Sequence, residues 1–171
     1  MPESMRALGM SPDQVEQAMQ AYSAYMSTEG WQRFEVFDGM ADLLARLKGE
    51  GFGVCTATSK SERFARAALE RAGMLEHIDF LGAASNDGVR AKKADVIRYV
   101  LDNVAPKRPL MIGDRTHDFT GAATFDIPSV AVTWGYGAAS EWDEATYVAS
   151  DARELERIIP VSYTHLTLPT T

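Results

Sequence analysis

The chain has 171 residues, 46% of them hydrophobic and 9% aromatic, the size of one domain with enough apolar surface for a packed core. Lys and Arg number 17 against 24 Asp and Glu, a formal net charge of -7. Such a field repels phosphate backbones, which argues against nucleic acid as a partner, although a small phosphorylated ligand can still be held by a local cation.

The single cysteine, Cys55, lies in the apolar run "GFGVCTAT", so an internal disulfide is excluded and a reducing compartment with a packing role for Cys55 is expected. The start "MPESMRALGM" lacks a basic stretch followed by an apolar one, and no window approaches the roughly 18 apolar residues of a membrane span. The sequence therefore reads as cytoplasmic, with no membrane partner and with its oligomeric state open.

The first predicted element is a helix over "SPDQVEQAMQAYSAYMS". Ser11 stands at the cap, Pro12 at the first helical position, and Val15, Ala18, Met19, Tyr22 and Met26 keep the three-and-four spacing of one buried face. A second amphipathic helix follows in "FDGMADLLARLKGEGF", with Met40, Leu43, Leu44 and Leu47 inward and the glycines 49 and 51 closing it. Asp38 reads as a cap for this helix.

From residue 53 the pattern alternates. Strands are predicted over 53–59, 78–85, 108–114 and 129–135, and helices over 61–73, 93–104, 117–126 and 152–159. Strand and helix in turn at this spacing require right-handed crossovers and a parallel sheet covered on both faces, an α/β architecture whose ligands bind at the carboxyl ends of the strands. The tail "VSYTHLTLPTT" breaks from the Ala-rich, acidic body and reads as foreign sequence rather than as a structural element.

Three predicted strand ends carry groups that bind or react. The first finishes "TATSK", which sets the hydroxyls of Thr58 and Ser59 beside the positive start of the next helix, where phosphate oxygens bind; Ser and Thr also serve as ordinary caps there. Lys93 opens the helix after "ASNDGVRAKK", and a cation at a helix start opposes the macrodipole unless an anion compensates it. Arg90, Lys92 and the turn at Asp87-Gly88 read as solvated loop.

In "LMIGDRTHDFTGAA", Asp114 ends an apolar strand after Gly113, and Asp118 lies one helical turn further on. Two carboxylates with waters suit a magnesium ion, which takes oxygen ligands and keeps much of its hydration. The competing reading makes both acids helix caps. His117, between them, points away from their shared space and reads as a surface residue.

The order Thr58, Lys93, Gly113-Asp114-Arg115 and Asp118 resembles that of the haloacid dehalogenase-like phosphohydrolases, over about residues 37–159. Within that superfamily, "CTATSKSERFA", "SNDGVRAKKADVIRYVL", "MIGDRTHDFTGA" and "VTWGYG" look like the phosphoglycolate phosphatase branch. The resemblance implies a Rossmann-like three-layer fold and a Mg2+-dependent phosphomonoesterase working on a small phosphorylated metabolite through an aspartyl-phosphate. It implies that Thr58 hydrogen-bonds the transferring phosphoryl group, with Ser59 beside it, that Lys93 balances charge, that Asp114 ligates the metal and that Asp118 supports the metal or its waters.

One departure stands out. The family's nucleophile and acid/base lie in an Asp-x-Asp-x-Thr pattern on a first strand, and this chain contains no such pattern; Phe37-Asp38-Gly39 offers one acid only and no nucleophile. The expectation is therefore a chain that begins late. Residues 1–36 would be the end of a helical cap, 37–160 an α/β core lacking its central first strand, and 161–171 a non-native tail. Such a fragment is expected to be inactive and marginal, closing the vacancy by direct strand pairing, another copy or aggregation. The alternative is a non-catalytic phosphate- or Mg2+-binding module of the same fold.

Overall fold

The computed structural model describes residues 2–164, with side chains described over 5–160. The chain divides into two compact units, Met1–Glu35 and Val36–Thr171.

The first unit holds helices α1 (Pro2–Ala7) and α2 (Pro12–Thr28). Helix α2 begins where the sequence places it. Ser11 Oγ accepts from the Gln14 amide at 3.3 Å, and Gln14 Oε1 accepts from the Ser11 amide at 2.8 Å. Two of the helix's orphan donors are thus satisfied reciprocally, with Pro12 filling a position that has no amide to satisfy. Val15 is the only buried residue of α2 among those described. The predicted face is narrower than its spacing implies, because Tyr22 stands 40% exposed and Ala18, Met19 and Met26 are half-buried.

In the second unit the elements run α3 (Met40–Gly49), β1 (Cys55–Ser61), α4 (Glu62–Arg71), β2 (Phe80–Ala84), α5 (Lys93–Val104), β3 (Met111–Gly113), α6 (Thr116–Ala123), β4 (Ser129–Val132), β5 (Tyr147–Ala149) and α7 (Ala152–Thr164). All the strand pairings are parallel. The predicted alternation and the α/β class are those of the structure.

Several details differ. Asp38 does not cap α3, whose first position is held by Gly39 at φ 77° with no side-chain cap; glycine takes that left-handed backbone without strain. The strand β5 was not expected, being three residues long and flanked by polar residues. Helix α7 runs through Pro160 to Thr164, past the expected end at Ile159, and the rest of the tail, 165–171, lies outside the described residues.

The sheet is interrupted. β1 pairs with β2, and β3 with β4 and β4 with β5, but among the described residues no ladder joins β1 to β3. The expected closure by direct pairing does not occur. Three features span the interruption instead. On one face, Ile97 and Leu101 of α5 pack with Ala57 of β1, Met111 of β3 and Ala122 of α6, so one apolar cluster touches both half-sheets.

On the other face, Leu43 and Leu47 of α3 pack with Val130, Ala149, Leu155 and Ile159. Lys48 of α3 pairs with Asp79 just before β2, while Arg46 pairs with Glu156 of α7 at 2.6 Å. The Asp79 carboxyl is held below its ordinary range by Lys48 and by the Val54 amide, which donates to it at 2.7 Å. The third feature is Lys93, at the carboxyl ends of the strands.

Candidate active site

Lys93 is the first residue of α5, and its side chain is 10% exposed. Its ammonium donates to the carbonyl oxygen of Ala57 in β1 and lies 2.8 Å from Asp118 Oδ1 in α6. The anion that a lysine at a helix start requires is thus Asp118, itself 5% exposed. Breaking such a buried pair by removing one partner costs about 3 to 5 kcal/mol, since the other charge is left uncompensated.

Asp118 Oδ2 accepts from the amides of Asp114 at 3.1 Å and Arg115 at 3.2 Å. Reaching back from the third helical position to the cap amide, it performs the capping half of the competing reading while facing Lys93. Both of its oxygens are engaged. It therefore fixes the turn after β3 and the carboxylate that turn carries.

That carboxylate is Asp114. Its Oδ2 accepts from the Tyr136 amide at 2.6 Å, and Oδ1 has no hydrogen bond among the described residues. The backbone wraps Asp114 closely. A Cβ on Gly113 would collide with the Asp118 side chain, and one on Gly135 with that of Asp114, so both positions require glycine for lack of room.

The wrapping loop is fastened by Glu141. Its Oε2 accepts from the Thr116 amide at 2.9 Å and from Arg115 Nε at 3.0 Å, and its Oε1 accepts from the Ala138 amide at 3.2 Å. The Thr116 and Ala138 amides, with the Arg115 side chain, lower the Glu141 pKa to about 2. Sequence reasoning passed over Glu141, because nothing in "GYGAASEWDEA" distinguishes it from a solvated acid until the fold brings it beside Arg115.

Thr58 sits directly after the carbonyl that Lys93 holds, and its Oγ1 accepts from the Lys60 amide at 3.1 Å. Ser59 is one residue further and exposed. The register between β1 and β2 breaks between Thr58 and Ser61, so the strand loosens where a phosphate-binding turn is expected. His117 is exposed, 3.9 Å from Asp118 Oδ1. Thr58, Lys93, Asp114 and Asp118 are thereby gathered at the carboxyl ends of β1 and β3, and Ser59 and His117 lie outside the buried network.

Among the described residues no group of three or more His, Cys, Asp or Glu side chains is arranged to hold a metal. The donor set is one free carboxylate oxygen on Asp114, backed by Asp118. It fits a hard cation that keeps most of its water and takes one or two carboxylates with substrate oxygens, and it does not fit an all-protein cage.

Residues 1–132 match the haloacid dehalogenase-like hydrolase family. The chain belongs to the haloacid dehalogenase-like hydrolases. It is 39% identical over 161 residues to the tyrosine-protein kinase PtkA of Mycobacterium tuberculosis, covering 92% of this chain and 55% of that protein. It is 30% identical over 159 residues to a 5'-nucleotidase of Pseudomonas aeruginosa, covering 91% and 72% respectively. The crystal structure of a predicted phosphatase from Clostridium acetobutylicum superposes with a TM-score of 0.86 at 32% identity, over 94% of this chain and 76% of that one. The chain thus spans just over half the length of the mycobacterial proteins it matches. No helix among the described residues is long and apolar enough to cross a membrane.

Proposed function

We propose that this member of the haloacid dehalogenase-like family serves a Mg2+-dependent phosphomonoesterase acting on a small phosphorylated metabolite, with residues 1–36 as the end of a helical cap. The carrying observation is the Lys93–Asp118–Asp114 network at the ends of two strands, with Thr58 beside it. Phosphoryl transfer is chiefly positioning and charge neutralisation, and these side chains supply both. Lys93, held between Ala57 and Asp118, presents positive charge where phosphate oxygens gather. Thr58 offers a hydroxyl donor to the same oxygens.

Asp114 would hold magnesium through Oδ1, with Asp118 fixing the turn that carries that carboxylate. A bound magnesium ion would neutralise phosphoryl charge. The carboxylate that receives the phosphoryl group is not among these residues, since no Asp-x-Asp-x-Thr pattern occurs in the chain. The names of the relatives, a nucleotidase and a kinase, share phosphoryl transfer as their chemistry; phosphoglycolate and nucleoside monophosphates are both substrates to test.

The deciding experiment uses protein in which an Asp-x-Asp-x-Thr strand precedes these residues. Hydrolysis of p-nitrophenyl phosphate should need Mg2+, and Asp114→Asn should lower kcat/KM about 100-fold or more. Turnover near that of the unaltered protein would remove Asp114 from the metal site. The 171-residue chain alone should hydrolyse nothing; dose-dependent turnover by a pure sample would reveal a nucleophile of its own. Mg2+ binding without turnover, even with the added strand, would favour the non-catalytic module.

A further inference from the structure

Two stretches of chain grip Asp114. One is its own turn, where Asp118 accepts from the Asp114 and Arg115 amides. The other is residues 134–141, which follow β4 and lie far from Asp114 in sequence. The Tyr136 amide donates to Asp114 Oδ2 at 2.6 Å, and a Cβ on Gly137 would collide with the Asp114 carbonyl oxygen. Any side chain at 137 would push the segment off the metal ligand.

A segment with two glycines in three residues is costly to hold in one conformation, because glycine loses the most backbone freedom on ordering. Among the described residues, every hydrogen bond that ties 134–141 to the rest of the chain goes to Asp114, Arg115 or Thr116. All of these except the Tyr136 bond are made by Glu141.

The Glu141 carboxylate accepts from the amide and hydroxyl of Thr116, from Arg115 Nε and from the Ala138 amide. Thr116 stands two residues after Asp114, and Ala138 two residues after Tyr136. The carboxylate thus bridges the two backbones just beyond the Tyr136–Asp114 bond and fixes how that bond is presented. Its partners are all donors, which a carboxylate answers with acceptors alone, whereas an amide of the same shape would turn an NH2 toward one of them. The lowered pKa of Glu141, caused chiefly by the Thr116 amide, agrees with this.

We propose that Glu141 is a positioning residue for Asp114: by joining Thr116 to Ala138 it fixes the Tyr136 amide, which holds Oδ2 and leaves Oδ1 for a hard cation. A ligand held in this way loses little further freedom on binding, so affinity rises without any contact between Glu141 and the metal. This role rests on the reading of Asp114 as the magnesium ligand.

The test uses the whole 171-residue chain with Mn2+ as the probe, an ion that takes the same oxygen ligands and whose free form is counted by electron paramagnetic resonance. Glu141→Gln should weaken Mn2+ binding about tenfold or more and speed hydrogen exchange of the Tyr136 amide by a similar factor. Glu144→Gln removes the same charge from an exposed side chain of the same segment, and should leave both quantities within about twofold. Ala138→Pro is the milder variant, since a backbone at φ -80° accepts proline and only one of the donors to Glu141 is lost. It should weaken Mn2+ binding about threefold with the fold retained, the size of one hydrogen bond.

Faster exchange at Tyr136 with unchanged Mn2+ affinity would overturn the proposal and leave Glu141 a fastening of the loop alone. Equal losses in Glu141→Gln and Glu144→Gln would overturn it too, by making net charge the cause. Failure of the magnesium reading looks different: the unaltered chain would then show no Mn2+ binding that Asp114→Asn removes, and the role of Glu141 would fall with it.

Discussion

β4 and the two strands that border the interruption, β1 and β3, have quite different surroundings. β4 has a strand on each side, and its Val130 and Ala131 are fully buried. Among the described residues β1 pairs with β2 alone and has no fully buried residue, while Ile112 of β3 is 37% exposed. Helices cover both kinds of strand. In a parallel sheet, burial is therefore set by the flanking strands as much as by the layers above and below, and a sequence suited to a central strand can stand at an edge. The half-sheets keep their alignment because α5, α3 and Lys93 cross between them.

The largest test of that contrast is Lys93→Met. If the ammonium pins β1 to the turn after β3, its loss leaves Asp118 charged and unpaired, and denaturant unfolding should show a drop of about 3 to 5 kcal/mol, a large part of any domain's stability. A drop below about 1 kcal/mol would mean that α3 and α5 hold the halves together without it.

Next in size is the difference between the two classes of strand. Val130→Ala removes two fully buried methyls and should cost about 2 kcal/mol, whereas Ile112→Ala at the open edge should cost under about 1 kcal/mol. Equal costs would show that β3 is as enclosed as β4. Native-state hydrogen exchange should report the same ranking, with the amides of Ala57 and Ile112 exchanging faster than those of β4.

The smallest effect concerns the loop fastened by Glu141. Its pKa is lowered to about 2 from an ordinary value near 4.5. The stability it contributes is therefore fully present above about pH 4.5 and is lost as the pH falls toward and through about 2. The difference in Tm between the unaltered chain and Glu141→Gln should be largest near pH 6 and shrink on acidification across that window. A constant difference would mean that the carboxylate's charge does not fasten the loop.

Much of this was legible in the sequence. Local rules fixed the Ser11 cap, the alternation of strands and helices, and the meeting of Thr58, Lys93, Asp114 and Asp118 at strand ends, because ligand groups in parallel sheets collect there. Lys93 at a helix start also signalled a missing anion, and Asp118 is that anion. Glu141, Gly39 in place of Asp38 as the α3 cap, and the three-residue β5 were not legible, since each depends on what the fold brings near.

Sequence by itself determined the order of elements, the parallel class and the candidate chemistry, all of which follow from periodicity and from residue types a few positions apart. The tertiary structure alone decided that no ladder joins β1 to β3 among the described residues, that Asp118 gives one oxygen to the Asp114 and Arg115 amides and the other to Lys93, and that one lysine ties two half-sheets. Those outcomes depend on distances between residues far apart in the chain, where packing and charge compensation act and local spacing does not.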